Sequence, residues 1–327
     1  MAAGERSKGT SARGDSSISS LVLVTESLQP AAMEYLRLHA DVRESSPEKA
    51  ADDIAEADGL VVRTYTRVDE SLLSAAGKLK VVGRAGVALD NIDISACRNR
   101  GVEVVHTPEA NTLAVVDYTI RMMIEMNRSF LTLDGWVAPE EFHSLRSRLF
   151  GRFLADCTLG IIGCGRIGSR VGRVAAAMGM DVLYNDILNI VVDYPAESVE
   201  KEELFARSDI VTIHTPVTDL TRKMINGKTI SMMKDGVQFI NAARGECVDY
   251  SDLAGALESG KVSFAAIDCH DPEPMGEDYP LFGLKNVILT PHSAATVPRA
   301  KENMSMVVKD VIAVLEGRKP VFPAPAE

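Results

Sequence analysis

What this chain of 327 residues has little of narrows its chemistry first. It carries five cysteines, Cys97, Cys157, Cys164, Cys247 and Cys269, an odd and scattered set with no C-x-x-C pair. That spacing excludes a disulfide framework and a cysteine zinc cluster, and it fits a reduced, cytoplasmic protein. Cys164 lies inside a glycine loop and Cys269 beside a candidate site; both are read as packing residues. A surplus of positive charge is also missing, with 35 Lys and Arg against 46 Asp and Glu and a formal net charge of -11. Without it few counterions are released from a polyanion, so nucleic acid is excluded as the main partner. A local basic pocket for a small anion stays compatible. No apolar run approaches the roughly 18 residues that span a bilayer, so no membrane partner is expected. The opening MAAGERSKGTSARGDSS lacks the apolar core of a secretory signal, and residues 1–18 read as a disordered polar tail. No repeat of solenoid period is present.

What is there is an ordinary globular balance, 46% hydrophobic and 25% charged, over a length that suits two domains. Short apolar runs alternate with helical patterns. Strands are expected at Leu21–Val24, Gly59–Val62, 79–82 and 102–105, with helices over 31–38 and 92–98. A second series of strands is expected at Thr158–Ile162, 181–184, Ile210–Ile213, 238–241, 265–268 and Val287–Leu289. This alternation predicts an α/β fold: two Rossmann-like doubly wound parallel-sheet domains with a cleft between them. The expected domains are a first over 19–107 plus 298–327 and a second over 108–297; the glycine loop over 163–168 makes the second the NAD-binding domain and leaves the first to bind substrate. A closing helix over 297–316 returns to the first of these. Residues 110–126 read as a long helix, and the polar, irregular stretch 127–152 after it as a dimerisation arm, so a homodimer is expected.

The run LGIIGCGRIG carries a strand through Gly163-x-Gly165-x-x-Gly168 into a helix. Gly163 permits the tight turn, Gly165 lets the backbone approach a pyrophosphate, and Gly168 lets the helix pack closely on the strand. Arg166 and Ile167 complete the loop, and the N–H groups at the helix start face the phosphates. Asp186 ends the next strand, where a carboxylate accepts both ribose hydroxyls and repels a 2′-phosphate. NAD is therefore the expected cofactor, rather than NADP.

Three further groups stand just beyond later strands: Arg244 in NAARG, Glu273 five residues past Asp268, and His292 in LTPH. That edge of an open α/β sheet is where ligands bind, and an arginine, an acid and a histidine together suit a 2-keto acid. His270, two residues past Asp268, is the rival histidine; His106 and His214 end strands and read as structural. No ligand pair has helical or hairpin metal spacing, so no metal is expected.

The segments VVGRAGVALDNID, LGIIGCGRIG, NAARGECVD and VILTPH resemble the D-isomer-specific 2-hydroxyacid dehydrogenases, and the resemblance extends over about residues 21–319. It implies hydride transfer between NAD(H) and a D-2-hydroxy acid or its 2-keto acid. His292 is then the general acid/base, Glu273 pairs with it, and Arg244 binds the substrate carboxylate. Thr215, Ala242 and Asp268 line the dinucleotide site, with Asp268 facing the nicotinamide carboxamide. Arg63, Arg84, Gly86 and Val87 match the family's substrate-binding loops. Arg63 and Arg84 also match positions that hold the phosphate in phosphoglycerate dehydrogenases, which makes 3-phosphoglycerate the leading single substrate. Glyoxylate, hydroxypyruvate and bulkier 2-keto acids compete with it, and the chain's end at Glu327 leaves no room for the C-terminal regulatory domain of many such enzymes. The sequence departs from the family pattern at Ala88, where glycine is common, and over Ser293-Ala294 after the histidine. The alternative is a scaffold of the corepressor type, dimeric and NAD-gated without significant turnover; His270 and the Val116-Asp117 pair resemble that branch.

Overall fold

The computed structural model describes residues 20–128 and 130–325; the polar tail expected over 1–18 lies outside them. The chain divides into two units, one running to Pro108 and resuming at Glu302, the other Glu109–Lys301.

The first unit is built on β1 (Leu21–Val24), β2 (Asp41–Glu44), β3 (Gly59–Val62), β4 (Val81–Arg84) and β5 (Glu103–Val105). They form one parallel sheet in the order β2-β1-β3-β4-β5. The central strand β3 is buried at every position, as an apolar run covered on both faces should be. Edge strand β2, sequence DVRE, has no buried residue and was not expected from the sequence. A polar edge strand carries no hydrophobic signal, and its charges discourage pairing with another chain. The strand expected at 79–82 begins at Val81 and ends on Arg84, which puts that arginine at the strand's carboxyl end. The single closing helix expected over 297–316 is two, Pro298–Ser305 and Val308–Leu315, separated where bonding tightens to i→i+3 at Val307. The second of these packs Val308, Val311 and Ile312 into the core. Gly83 admits it: a Cβ there would stand 2.4 Å from Val311 Cγ2.

The second unit holds β6 (Thr158–Ile162), β7 (Asp181–Asn185), β8 (Glu197–Ser198), β9 (Ile210–Ile213), β10 (Val237–Asn241), β11 (Val262–Ile267) and β12 (Val287–Leu289). All pair in parallel, in the order β12-β11-β10-β9-β6-β7-β8. The chain leaves β6 toward β7 on one side and returns to β9 on the other, so the carboxyl end of β6 is the switch point of a doubly wound sheet. Six strands were expected; β8, two exposed residues long, is too short to carry a pattern.

Helix Thr112–Asn127 precedes the stretch expected to be irregular, which contains a helix at Pro139–Arg148. Its signals are proline in the first turn, Glu140 and Glu141 after it, and Arg146 and Arg148 in the last turn, each complementing the helix dipole. None of its residues is buried. Trp136 and Phe150 nearby are 87% and 90% exposed, a large apolar area for a chain on its own. Among the described residues no helix is long and apolar enough to cross a membrane.

Candidate active site

At the switch point the three glycines of the loop do different work. Gly163 has φ +90°, and a Cβ on it would stand 2.7 Å from the His214 carbonyl. Gly168 lies so close to the Gly163 carbonyl that a Cβ would come within 2.0 Å of it. A Cβ on Gly165 would meet nothing, so the loop's open side is there. Ile167, at the start of helix Gly168–Ala177, offers no side-chain cap. Asp186 follows β7 and turns back onto the loop: Oδ2 accepts the Cys164 N–H at 2.7 Å and Oδ1 the Leu188 N–H at 2.9 Å. Each oxygen keeps a second acceptor position, as ribose hydroxyls require. The donor set thus fits a dinucleotide, with an amide-rich helix start for phosphate and a carboxylate for ribose. Thr215 borders Gly163 and lies 3.9 Å from Cys247 Sγ; Ala242 is buried with Val115 and Ala294.

Along the same carboxyl edge, β10, β11 and β12 deliver the other groups. His292 Nδ1 lies 2.8 Å from Glu273 Oε2, while Glu273 Oε1 accepts the His270 N–H at 2.7 Å. On the far side of the ring, Nε2 lies 3.8 Å from Cys269 Sγ, itself 3.3 Å from the Ala243 carbonyl. Arg244 Nη1 donates to the Ala243 carbonyl at 2.6 Å. Gly245 is in contact with the next loop, since a Cβ there would stand 1.9 Å from the His270 carbonyl. The segment 243–245 therefore abuts 269–271, and His292 is joined to it through Cys269.

His292 has φ +49°, a left-handed conformation that histidine adopts more readily than most residues. Asp268 holds it there. Its backbone carbonyl accepts the His292 N–H at 2.9 Å. Its fully buried carboxylate accepts the N–H groups of Ser293 and Ala294, both at 2.8 Å, and the Thr290 hydroxyl at 2.5 Å. Tyr118, on helix Thr112–Asn127, extends this chain to Thr290 at 2.6 Å. Both oxygens of Asp268, the residue that the resemblance sets facing the nicotinamide carboxamide, accept from the 290–294 loop.

The electrostatics follow from these neighbours. The Cys269 sulfur at Nε2 and the Glu273 carboxylate at Nδ1 raise His292 to about 10 against desolvation. Burial pushes the Cys269 thiol up, so near neutral pH the sulfur keeps its proton and Glu273 supplies the standing negative charge. Burial also pushes Glu273 up, but its hydrogen bonds from His292 and the His270 N–H outweigh that and leave it below its ordinary value. The rival His270 is buried, with Nδ1 2.9 Å from the Tyr279 hydroxyl and Nε2 2.9 Å from the Thr290 carbonyl, so both ring nitrogens are engaged internally. His214 is held down to about 4 by burial, and is neutral.

In the first unit, Arg63 directly follows β3 and Arg84 ends the adjacent β4. The Arg84 guanidinium lies over Gly86, where a Cβ would collide with it. The Val87 carbonyl faces His106 Nδ1 at 2.8 Å. Arg63 Nη1 donates to the Ser27 carbonyl at 3.1 Å. Ala88 is not strained: among the described residues only Lys223 and His292 have a positive φ without being glycine. Reading the sequence did not single out Tyr118 or Thr290, and it took Cys269 for packing. The available signal was adjacency, Thr290 lying two residues before His292 and Cys269 directly after Asp268.

Comparison with known proteins agrees with this geometry. The model of the D-isomer specific 2-hydroxyacid dehydrogenase, NAD binding domain, matches residues 120–294. The chain is 37% identical over 306 residues to D-3-phosphoglycerate dehydrogenase of Archaeoglobus fulgidus, covering 90% of this chain and 57% of that protein. It thus spans little more than half the length of that relative. It is 33% identical over 297 residues to hydroxypyruvate reductase of Thermotoga maritima, covering 89% of this chain and 96% of the reductase. D-lactate dehydrogenase from Aquifex aeolicus, solved with NAD and lactic acid, superposes with TM-score 0.77 at 28% identity, covering 90% of this chain and 96% of that one. With a dinucleotide loop at the switch point and the matched NAD-binding domain around it, the chain belongs to the D-isomer specific 2-hydroxyacid dehydrogenase family.

Proposed function

We propose that this protein is an NAD-dependent oxidoreductase interconverting a D-2-hydroxy acid and its 2-keto acid, with His292 as general acid/base. The observation that carries the reading is the Glu273–His292 pair at 2.8 Å, on the same sheet edge as the glycine loop. When bound, reduced nicotinamide supplies the hydride. His292 Nε2 gives its proton to the carbonyl oxygen in the reductive direction and takes it back in the oxidative one. Glu273 keeps the imidazolium charged and oriented. Arg244 holds the substrate carboxylate with its permanent charge, and Arg63, Arg84, Gly86 and Val87 bind the substrate's acidic groups. Asp186 favours NAD over NADP. The leading substrate pair is 3-phosphoglycerate and 3-phosphohydroxypyruvate, supported by the two arginines and by likeness to phosphoglycerate dehydrogenases; the likeness to hydroxypyruvate reductase keeps hydroxypyruvate next. A homodimer, joined through the exposed apolar side chains around Trp136 and Phe150, and a cytoplasmic setting complete the reading. No observation favours the scaffold alternative.

The test is NADH oxidation over a panel of 3-phosphohydroxypyruvate, hydroxypyruvate and glyoxylate, for wild type and His292→Asn. Rapid turnover of one acid is expected, falling about 10²–10⁴-fold in the variant as loss of a general acid predicts. NADH binding without turnover of any acid overturns the dehydrogenase reading. Light scattering checks the dimer, and a monomeric mass rejects it.

A further inference from the structure

We propose that Cys269 and His292 form a binding site for a thiophilic divalent cation such as zinc, and that the bound ion reversibly switches the reaction off. The switching half rests on the dehydrogenase reading; the metal site does not.

The distance between the donors is the first support. Zinc takes thiolate sulfur at about 2.3 Å and imidazole nitrogen at about 2.0–2.1 Å, so one ion holds the two donors about 3.6 Å apart at the tetrahedral angle and about 3.8 Å apart at 120°. Cys269 Sγ and His292 Nε2 stand 3.8 Å apart. The second support is the far side of the ring. Glu273 Oε2 accepts from Nδ1 at 2.8 Å, which keeps a proton there and points Nε2 at the sulfur; the incoming ion displaces the Nε2 proton and the thiol proton, so binding releases two protons and strengthens as pH rises. This carboxylate–imidazole arrangement is the one that orients and strengthens histidine ligands in metal sites. Glu273 is itself anchored by the His270 N–H. One donor atom from each of Cys269, Glu273 and His292 lies within 4.8 Å of the others. Sequence spacing excluded such a site, because the two ligands stand 23 positions apart and meet only across β11 and β12.

Sulfur with imidazole selects soft and borderline ions; magnesium and calcium prefer oxygen and are not expected to bind. Two protein ligands leave open positions for water or for the oxygens of a keto acid. The consequence for turnover follows from occupancy of one atom: Nε2 cannot hold a metal ion and the transferable proton together. Zinc therefore inhibits, and a chelator restores activity.

Cobalt(II), added to the full chain, reports the site without reference to turnover. Wild type and Cys97→Ala, whose lost thiol lies in the other unit, are expected to develop a near-ultraviolet thiolate-to-cobalt charge-transfer band. Cys269→Ala and His292→Asn are expected to lack it, and zinc should inhibit Cys269→Ala at least tenfold less strongly than wild type. His292→Asn replaces a half-exposed side chain with another that tolerates positive φ, so it answers even if Cys269→Ala fails to fold. No band in wild type, or a band surviving both site variants, overturns the metal site. A band without keto-acid turnover upholds the site and rejects the dehydrogenase reading; turnover without a band does the reverse.

Discussion

Two carboxylates, one in each unit, gather the backbone N–H groups of a loop, and they do so in opposite surroundings. Glu26 is half-buried. It accepts from the N–H groups of Arg63, Thr64, Tyr65 and Thr66 at 2.9–3.2 Å. Asp268 is fully buried and accepts two N–H groups together with the hydroxyls of Thr290 and Ser293. Water can replace part of what Glu26 holds, because its loop is exposed and Tyr65 is 79% accessible. Nothing can replace what Asp268 holds, since an unpaired buried N–H costs about 1–3 kcal/mol. The loop of proposed substrate contacts in the first unit is thus held adjustably. The backbone of His292, at a strained φ, is held all-or-none.

Four experiments break or sharpen that comparison, in falling order of effect. Asp268→Asn turns one acceptor into a donor facing the N–H of either Ser293 or Ala294; a loss of about 3 kcal/mol in urea unfolding is expected. Displacing His292 should lower kcat about 10²-fold with it. A smaller loss than that of Glu26→Gln breaks the comparison outright. Second, Glu273→Gln removes one of the two groups that raise His292, the other being Cys269. In wild type, keto-acid reduction should persist through neutral pH and fall as pH rises through about 10, while oxidation of the hydroxy acid rises over the same range. The variant should move this limb toward the ordinary histidine value of 6.5 and lose about tenfold in kcat at neutral pH. A pH–rate profile that does not move rejects Glu273 as a source of the shift and leaves it to Cys269.

Third, Glu26→Gln should cost about 1 kcal/mol, reduced by solvent screening, and should raise KM more than it lowers kcat. Burial pushes the Glu26 carboxyl up, but the four N–H groups outweigh it and hold it below 4.5. A depressed carboxyl contributes stability above its ordinary value and loses it as pH falls through the depressed one. The wild-type advantage over Glu26→Gln in thermal unfolding should therefore be present at pH 7 and vanish on acidification; an advantage constant with pH contradicts it. Fourth, Tyr118→Phe deletes only the outermost link to Thr290 and should cost about 0.5–1.5 kcal/mol. A larger drop in kcat than that of Asp268→Asn would reverse the order of support inferred for His292.

Local sequence carried much of this molecule. The loop at Gly163, Gly165 and Gly168 is legible because each glycine answers a contact within a few residues or on the next strand. A buried strand such as β3, sequence GLVV, is legible as an unbroken apolar run. Strands β2 and β8 were not, since neither buries a residue and only pairing defines them. The helix Pro139–Arg148 had end signals but no apolar face, and periodicity passes over such helices.

The candidate site divides the same way. Arg244, Glu273 and His292 follow predicted strands, and parallel strands bring their carboxyl ends to one edge, so their common place could be inferred from order alone. Which atom meets which could not. The pairing of Ala265 with Val287 and of Ile267 with Leu289 sets the register of β11 against β12. That register turns Asp268 to Ser293, sets Cys269 against Nε2 of His292, and engages His270 with Tyr279 and Thr290. Tyr118 reaches Thr290 across 172 positions. The residue types and their strand ends are properties of the sequence by itself. Their protonation, orientation and partners were decided only by the tertiary structure, because desolvation and hydrogen bonding depend on neighbours that chain distance does not reveal.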